Sequence, residues 1–179
     1  MEIRVEAKVP FSSSVVFVTY RDDMAKLLPY LPNVRAFETE SRTEVGSRVD
    51  VVNVWRGGGE VPGVIRAVLS ESMLAWTDHA RWDAEAMRCD WRTETLALKD
   101  AVRCEGYNTF VPEGPDTTVL EMRGSLVIDA KKLRLPGFLA GKISGVLEEF
   151  LVSKIEANFL ETAKGMKSYL QRREPAVAT

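Results

Sequence analysis

Along most of this chain apolar and polar positions alternate with a period of two, and over the last fifth the period becomes helical. In residues 2–9, Ile3, Val5, Ala7 and Val9 alternate with charged neighbours, the pattern of a half-buried strand that Pro10 ends. Ser12, Ser13 and Ser14 offer N-cap hydroxyls to a short helix around Val15, Val16 and Phe17. Asp22 and Asp23 favour a second short helix through Met24, Leu27 and Leu28. From Val34 onward, strand-like segments fall near 34–43, 47–56, 61–70, 73–82, 87–98, 102–111 and 117–129, with turn residues between them. Their short connections predict an antiparallel meander, with Gly57–Gly59 as a hairpin turn. Pro62 and Gly63 weaken 61–70, which reads as an edge strand or an irregular loop.

After Leu135–Pro136–Gly137, apolar residues recur at Leu139, Ile143, Leu147, Phe150, Leu151, Ile155, Phe159, Met166, Tyr169 and Leu170, predicting one helix from Phe138 to Arg172. At ~1.5 Å per residue that is a rod of roughly 50 Å, and its apolar stripe needs a broad partner. The upstream sheet is the only candidate. The expected architecture is therefore α+β: a curved antiparallel sheet of about seven strands wrapped on one long C-terminal helix, with two short helices after the first strand. Residues 1–173 form a single domain in this reading, and 174–179 a flexible tail.

Parity assigns the concave face of the sheet. It takes Val49, Val51, Asn53 and Trp55; Leu74, Trp76, Asp78, Ala80 and Trp82; Met87, Cys89, Trp91, Thr93 and Thr95; Val102, Cys104, Gly106, Asn108 and Phe110; and Leu120, Met122, Gly124, Leu126 and Ile128. His79, the single histidine, falls on the other face and reads as solvated rather than as a catalytic base. Gly106, Gly124, Gly141 and Gly145 would leave space for a ligand while the tryptophans wall it; the plainer alternative is that the tryptophans fill the core. A cavity of ~300–1,000 Å³ would fit between sheet and helix.

Composition narrows the function. A net charge of −2 and scattered basic residues give no electrostatic footprint for nucleic acid. The N-terminus has the pattern of a strand and not of a signal peptide, and no apolar run reaches the ~20 residues of a membrane span, so a cytoplasmic protein without stable membrane insertion is expected. Cys89 and Cys104 lack metal-ligand spacing and read as free buried thiols, a cross-strand disulfide being the alternative. No metal-binding, dinucleotide or P-loop motif is present, and no Ser–His–Asp or Cys–His set can be built around an outward histidine, so no cofactor is expected.

Local sequence adds a resemblance. Val9–Pro10–Phe11–Ser12–Ser13–Ser14–Val15–Val16–Phe17 and Leu28–Pro29–Tyr30–Leu31–Pro32–Asn33–Val34 are similar to the strand-to-helix and helix-to-strand junctions of the START / birch-pollen-allergen-like (SRPBCC) helix-grip superfamily. The stretch from Leu135 through Gly141–Lys142–Ile143 to Glu148 and Ile155 resembles an uncharacterised bacterial branch of it. The resemblance spans nearly the whole chain and rests on structural motifs. It implies a cavity for an apolar molecule between sheet and helix; some members are cyclases or dehydratases.

The expected ligand-binding set is Asn53, Trp55, Trp76, Trp91, Asn108, Met122, Ile143, Leu147, Leu151, Ile155 and Asn158, with Asp78 a weak catalytic candidate. An inward Asp78 between Trp76 and Trp82 would be a perturbed general acid or base; a bulge that turns it outward, or pairing with Arg103, is the competing explanation. Three functions remain: carriage or sensing of a lipid-, sterol- or polyketide-like molecule, a cyclase- or dehydratase-type reaction in the same cavity, and a protein-interaction module. A monomer or weak homodimer suits all three.

Overall fold

The computed structural model describes residues 1–66, 68–133 and 135–173, so the expected tail at 174–179 lies outside the described residues. The chain begins with β1 (Glu2–Val9), α1 (Ser13–Asp22) and the single-turn α2 (Met24–Leu27). Six strands follow: β2 (Val34–Val45), β3 (Arg48–Gly57), β4 (Ala75–Asp83), β5 (Arg88–Thr95), β6 (Val102–Pro112) and β7 (Thr118–Ile128). The chain then enters α3 (Gly137–Arg173). Among the described residues the seven strands make one antiparallel sheet in the order β1-β7-β6-β5-β4-β3-β2. The meander therefore runs β2 to β7, and β1 closes its far side against β7.

In the middle of the chain Gly57–Gly59 is not a hairpin turn, and of the two readings of 61–70 its described residues take the irregular loop and not the edge strand. Between β3 and β4 the chain makes two single-turn 3-10 helices, Gly63–Ile65 and Glu71–Met73, and buries Val61, Ile65 and Leu69 in the core. Pro62 has no N–H to donate to a ladder, and it sits just before the first of these turns. The apolar residues that imitate a strand instead plug the gap between sheet and α3.

Helix α3 crosses the concave face and is tied down at two places. At its N-terminal half, Glu148 accepts a hydrogen bond from the Ile128 backbone N–H at 3.1 Å. Near its C-terminus, the Tyr169 hydroxyl and the Arg173 guanidinium donate to Asp23 at 3.0 and 2.7 Å. Gly165 lets the helix approach Tyr30 closely, since a Cβ there would stand 2.9 Å from the Tyr30 Cβ. The stripe residues Leu147, Phe159, Met166 and Leu170 are all buried. The two cysteines are free and buried.

Candidate functional site

The strand parity holds where it positions the site. Asn53, Asp78 and Thr93 stand directly opposite one another on β3, β4 and β5 in regular register, so no bulge turns Asp78 outward. Among the described residues Asp78 has no ion-pair partner; the suggested Arg103 pairing does not form. Its carboxyl faces a cavity of about 220 Å³ enclosed by the sheet, α1, the β3–β4 connection and α3. The volume falls below the range expected from sequence, for a reason that lies in Trp91. The Trp91 ring lies across Gly106 and Gly124, where added Cβ atoms would stand 2.6 and 2.8 Å from its indole carbons. Those glycines make room for an indole and not for a ligand. Gly141 and Gly145 are on open helix surface, away from the lining.

One end of the cavity is closed by aromatic packing. Phe17 of α1 meets Trp82 and Phe110 edge-on, with centroids 5.3 and 5.1 Å away, and Tyr20 lies 5.5 Å from Trp82. The lining at the other end comes from the β3–β4 connection, the β5–β6 turn with its exposed Ala97, and the middle of α3. Trp55 and Trp76 sit there as parallel rings 5.9 Å apart, with Phe37 edge-on to Trp55 at 4.5 Å. With Trp55 and Trp76 half-buried where Phe17, Trp82 and Phe110 are buried, this is the more open end.

Of the residues expected from sequence, Trp55, Trp76, Asp78, Trp91, Asn108, Met122, Leu151, Ile155 and Asn158 line the cavity. Ile143 and Leu147 do not: both are buried against the sheet nearer the start of α3, as core. Asn53 lies behind the wall, where its side-chain oxygen accepts a hydrogen bond from Thr39 at 2.9 Å and its amide is turned to Asp78. Sequence reasoning missed Tyr20, Thr95 and Lys154. Tyr20 and Lys154 sit on helices, whose lining positions depend on how each helix is docked. Thr95 was assigned to the inner face, but its lack of a partner is visible only in three dimensions.

The polar groups form two short chains. Trp91 Nε1 donates to Asn108 Oδ1 at 3.0 Å, and the Asn108 side chain also hydrogen-bonds the Tyr20 hydroxyl. Burial pushes Tyr20 upward, with Cys89 and Asp78 adding to the effect. In the second chain Thr39 orients Asn53, and Asn53 hydrogen-bonds Asp78. Burial raises Asp78 to about 7 against that stabilising hydrogen bond. Near neutrality its carboxyl can thus donate or accept a proton. Burial, with Asp78 second, raises Cys89 well above the ordinary thiol range, so it is no nucleophile. His79 is on the convex face, 3.7 Å from Glu94.

No protein-family model and no curated protein sequence matches the chain. Solved structures do. A protein from Thermus thermophilus superposes with a TM-score of 0.68 at 20% identity, covering 98% of this chain and 100% of its own. The Zhui aromatase/cyclase from Streptomyces sp. R1128 gives 0.69 at 16% identity, over 99% of this chain and 98% of its own. Norcoclaurine synthase from Thalictrum flavum, in complex with dopamine and hydroxybenzaldehyde, gives 0.61 at 17% identity, over 98% and 88%. At these identities the likeness is one of fold: the chain has the helix-grip fold.

Proposed function

We propose that this protein binds a hydrophobic small molecule, lipid-, sterol- or polyketide-like, between the sheet and α3, as a carrier or sensor. The observation that carries this reading is the cavity itself, whose wall is almost wholly apolar, with all four tryptophans in it and a few inward polar groups. Native mass spectrometry of protein purified from its own host, followed by denaturing extraction, tests it. A co-purifying apolar compound is the expected result. Protein that carries none, and whose tryptophan emission no apolar probe perturbs, would remove the reading.

A second reading rests on a separate observation, the inward carboxyl of Asp78 with a pKa of about 7. Such a group suits general acid–base work near neutrality, as a cyclase- or dehydratase-type reaction requires. In that role Asn53 orients Asp78, while Asn108 and Asn158 are hydrogen-bonding partners for the substrate. Proteins of this fold that are an aromatase/cyclase and norcoclaurine synthase support considering it. A synthetic poly-β-ketone should be cyclised or dehydrated by the wild-type protein and at least ~100-fold more slowly by Asp78→Asn. Equal rates in the two proteins would dismiss Asp78 as a catalyst.

A further inference from the structure

Lys154 differs from every other lysine in the chain. The other eight are exposed, whereas Lys154 is half-buried on α3 and lines the cavity at its open end. Its Nζ stands 3.2 Å from where a Cβ on Gly59 would be, facing the connection that follows β3. Gly59 has φ +113°, a conformation that L side chains rarely adopt, so the approach is kept free of a side chain. Among the described residues no carboxylate lies within 4.0 Å of this ammonium; its neighbour is the Phe150 ring, 5.6 Å away at the centroid. The nearby Arg35 is already committed to Glu71 at 3.3 Å, and Glu71 also accepts from the Gly59 N–H. Among the described residues Asp78 and Lys154 are thus the only acidic and basic side chains in the lining, and Lys154 is its one cation.

A second, independent observation points to a missing polar partner at the same end. Thr95 Oγ1 is fully buried with no hydrogen-bond partner, and Thr95 ends β5 opposite Trp76. A buried hydroxyl without a partner costs free energy that a polar ligand atom would recover. Between these groups lie the parallel Trp55 and Trp76 rings and, on the helix, Leu151 and Ile155.

We infer that the cavity takes an amphipathic monoanion, an apolar body bearing one carboxylate, whose charge Lys154 holds at the open end. The inference rests on the ligand-binding reading above and adds the ligand's chemical class. One ammonium matches one negative charge. A phosphate or diphosphate would call for several donors or an arginine fork, and the lining offers neither. The apolar body lies along Trp55 and Trp76, and Thr95 is available to a second ligand oxygen.

The test compares 2-naphthylacetate with its methyl ester by calorimetry, at a fixed pH where the acid is ionised. The wild-type protein should bind the carboxylate on the order of tenfold more tightly than the ester. Lys154→Met keeps the apolar stem and removes the charge, so it should bind the two with equal affinity; Lys154→Arg should keep the preference. Retained ester binding, with a cooperative unfolding transition, shows that the variant is folded. A wild-type protein without preference, or a Lys154→Met protein that retains it, would overturn the assignment. Should neither probe bind the wild-type protein, the cavity reading itself falls, an outcome distinct from loss of carboxylate preference alone.

Discussion

Asp78 is held in the cavity wall at a cost, because a carboxylate there loses solvent and gains only the Asn53 hydrogen bond in return. Its folded pKa of about 7 exceeds the ordinary 3.8, so between those values the folded state binds the extra proton. Stability should therefore fall as pH rises from about 4 to about 7, and the penalty should stay in full above that range. Asp78→Asn removes the titration. Urea unfolding should find the variant more stable than wild type above neutrality by on the order of 1–3 kcal/mol, and nearly equal to it near pH 4. A constant difference across the range would mean that Asp78 does not titrate there. Gly106 poses a steric question instead. A Cβ at Gly106 would stand 2.6 Å from both the Trp91 indole and the Gly124 Cα, so Gly106→Ala should cost about 1–3 kcal/mol and lower Tm by roughly 3–10 °C. The inward direction of Asp78 was legible in the sequence because parity follows from the pleat alone. The meaning of Gly106 was not: a glycine beside a tryptophan reads the same whether it clears space for a ligand or for the indole, and only the ring's orientation decides.

At the scale of elements, periodicity and turn residues located every long strand and placed α3 within a residue of its observed ends. It failed between β3 and β4. There Val61, Ile65 and Leu69 are buried from a looped connection, and buried side chains on irregular backbone carry no period to read. Along α3 the anchoring is uneven. Its first turns expose Phe138 to 84% and carry Gly141 and Gly145 on open surface, whereas Phe159, Ala163, Met166 and Leu170 are buried. Asp23 and Tyr30 add polar contacts to the C-terminal half only. Amide hydrogen exchange should accordingly be fastest over residues 137–142 and slowest over 159–170, spanning several kcal/mol of opening free energy. Uniform protection along the helix would contradict this.

In the whole molecule, cavity, proton and ligand are linked. Asp78 is surrounded by Asn53, Thr93, Cys89 and Tyr20, and among these the two titratable groups remain neutral across the physiological range because burial raises both. An uncharged apolar ligand that fills the cavity removes what solvent still reaches the Asp78 carboxyl, so it raises that pKa further and favours the protonated form. Binding should then take up protons, and affinity should fall as pH rises through about 7 toward the higher pKa of the complex. A neutral naphthalene probe should bind several-fold more weakly at about pH 8.5 than at about pH 5.5, with tryptophan emission reporting occupancy since all four tryptophans line the cavity. Calorimetry in buffers of different ionisation enthalpy counts the protons directly: a fractional uptake near neutrality is expected for wild type, and none for Asp78→Asn. At a ligand concentration of about 100 Kd the complex should also gain ~2.7 kcal/mol, a rise in Tm of roughly 5–10 °C, greater at low pH than at high pH only while Asp78 is present. Proton uptake that persists in Asp78→Asn would move the titration to another group. A pH-independent Kd in the wild-type protein would show that the ligand sits clear of Asp78, and the cavity would then be an apolar container whose one acid takes no part in binding.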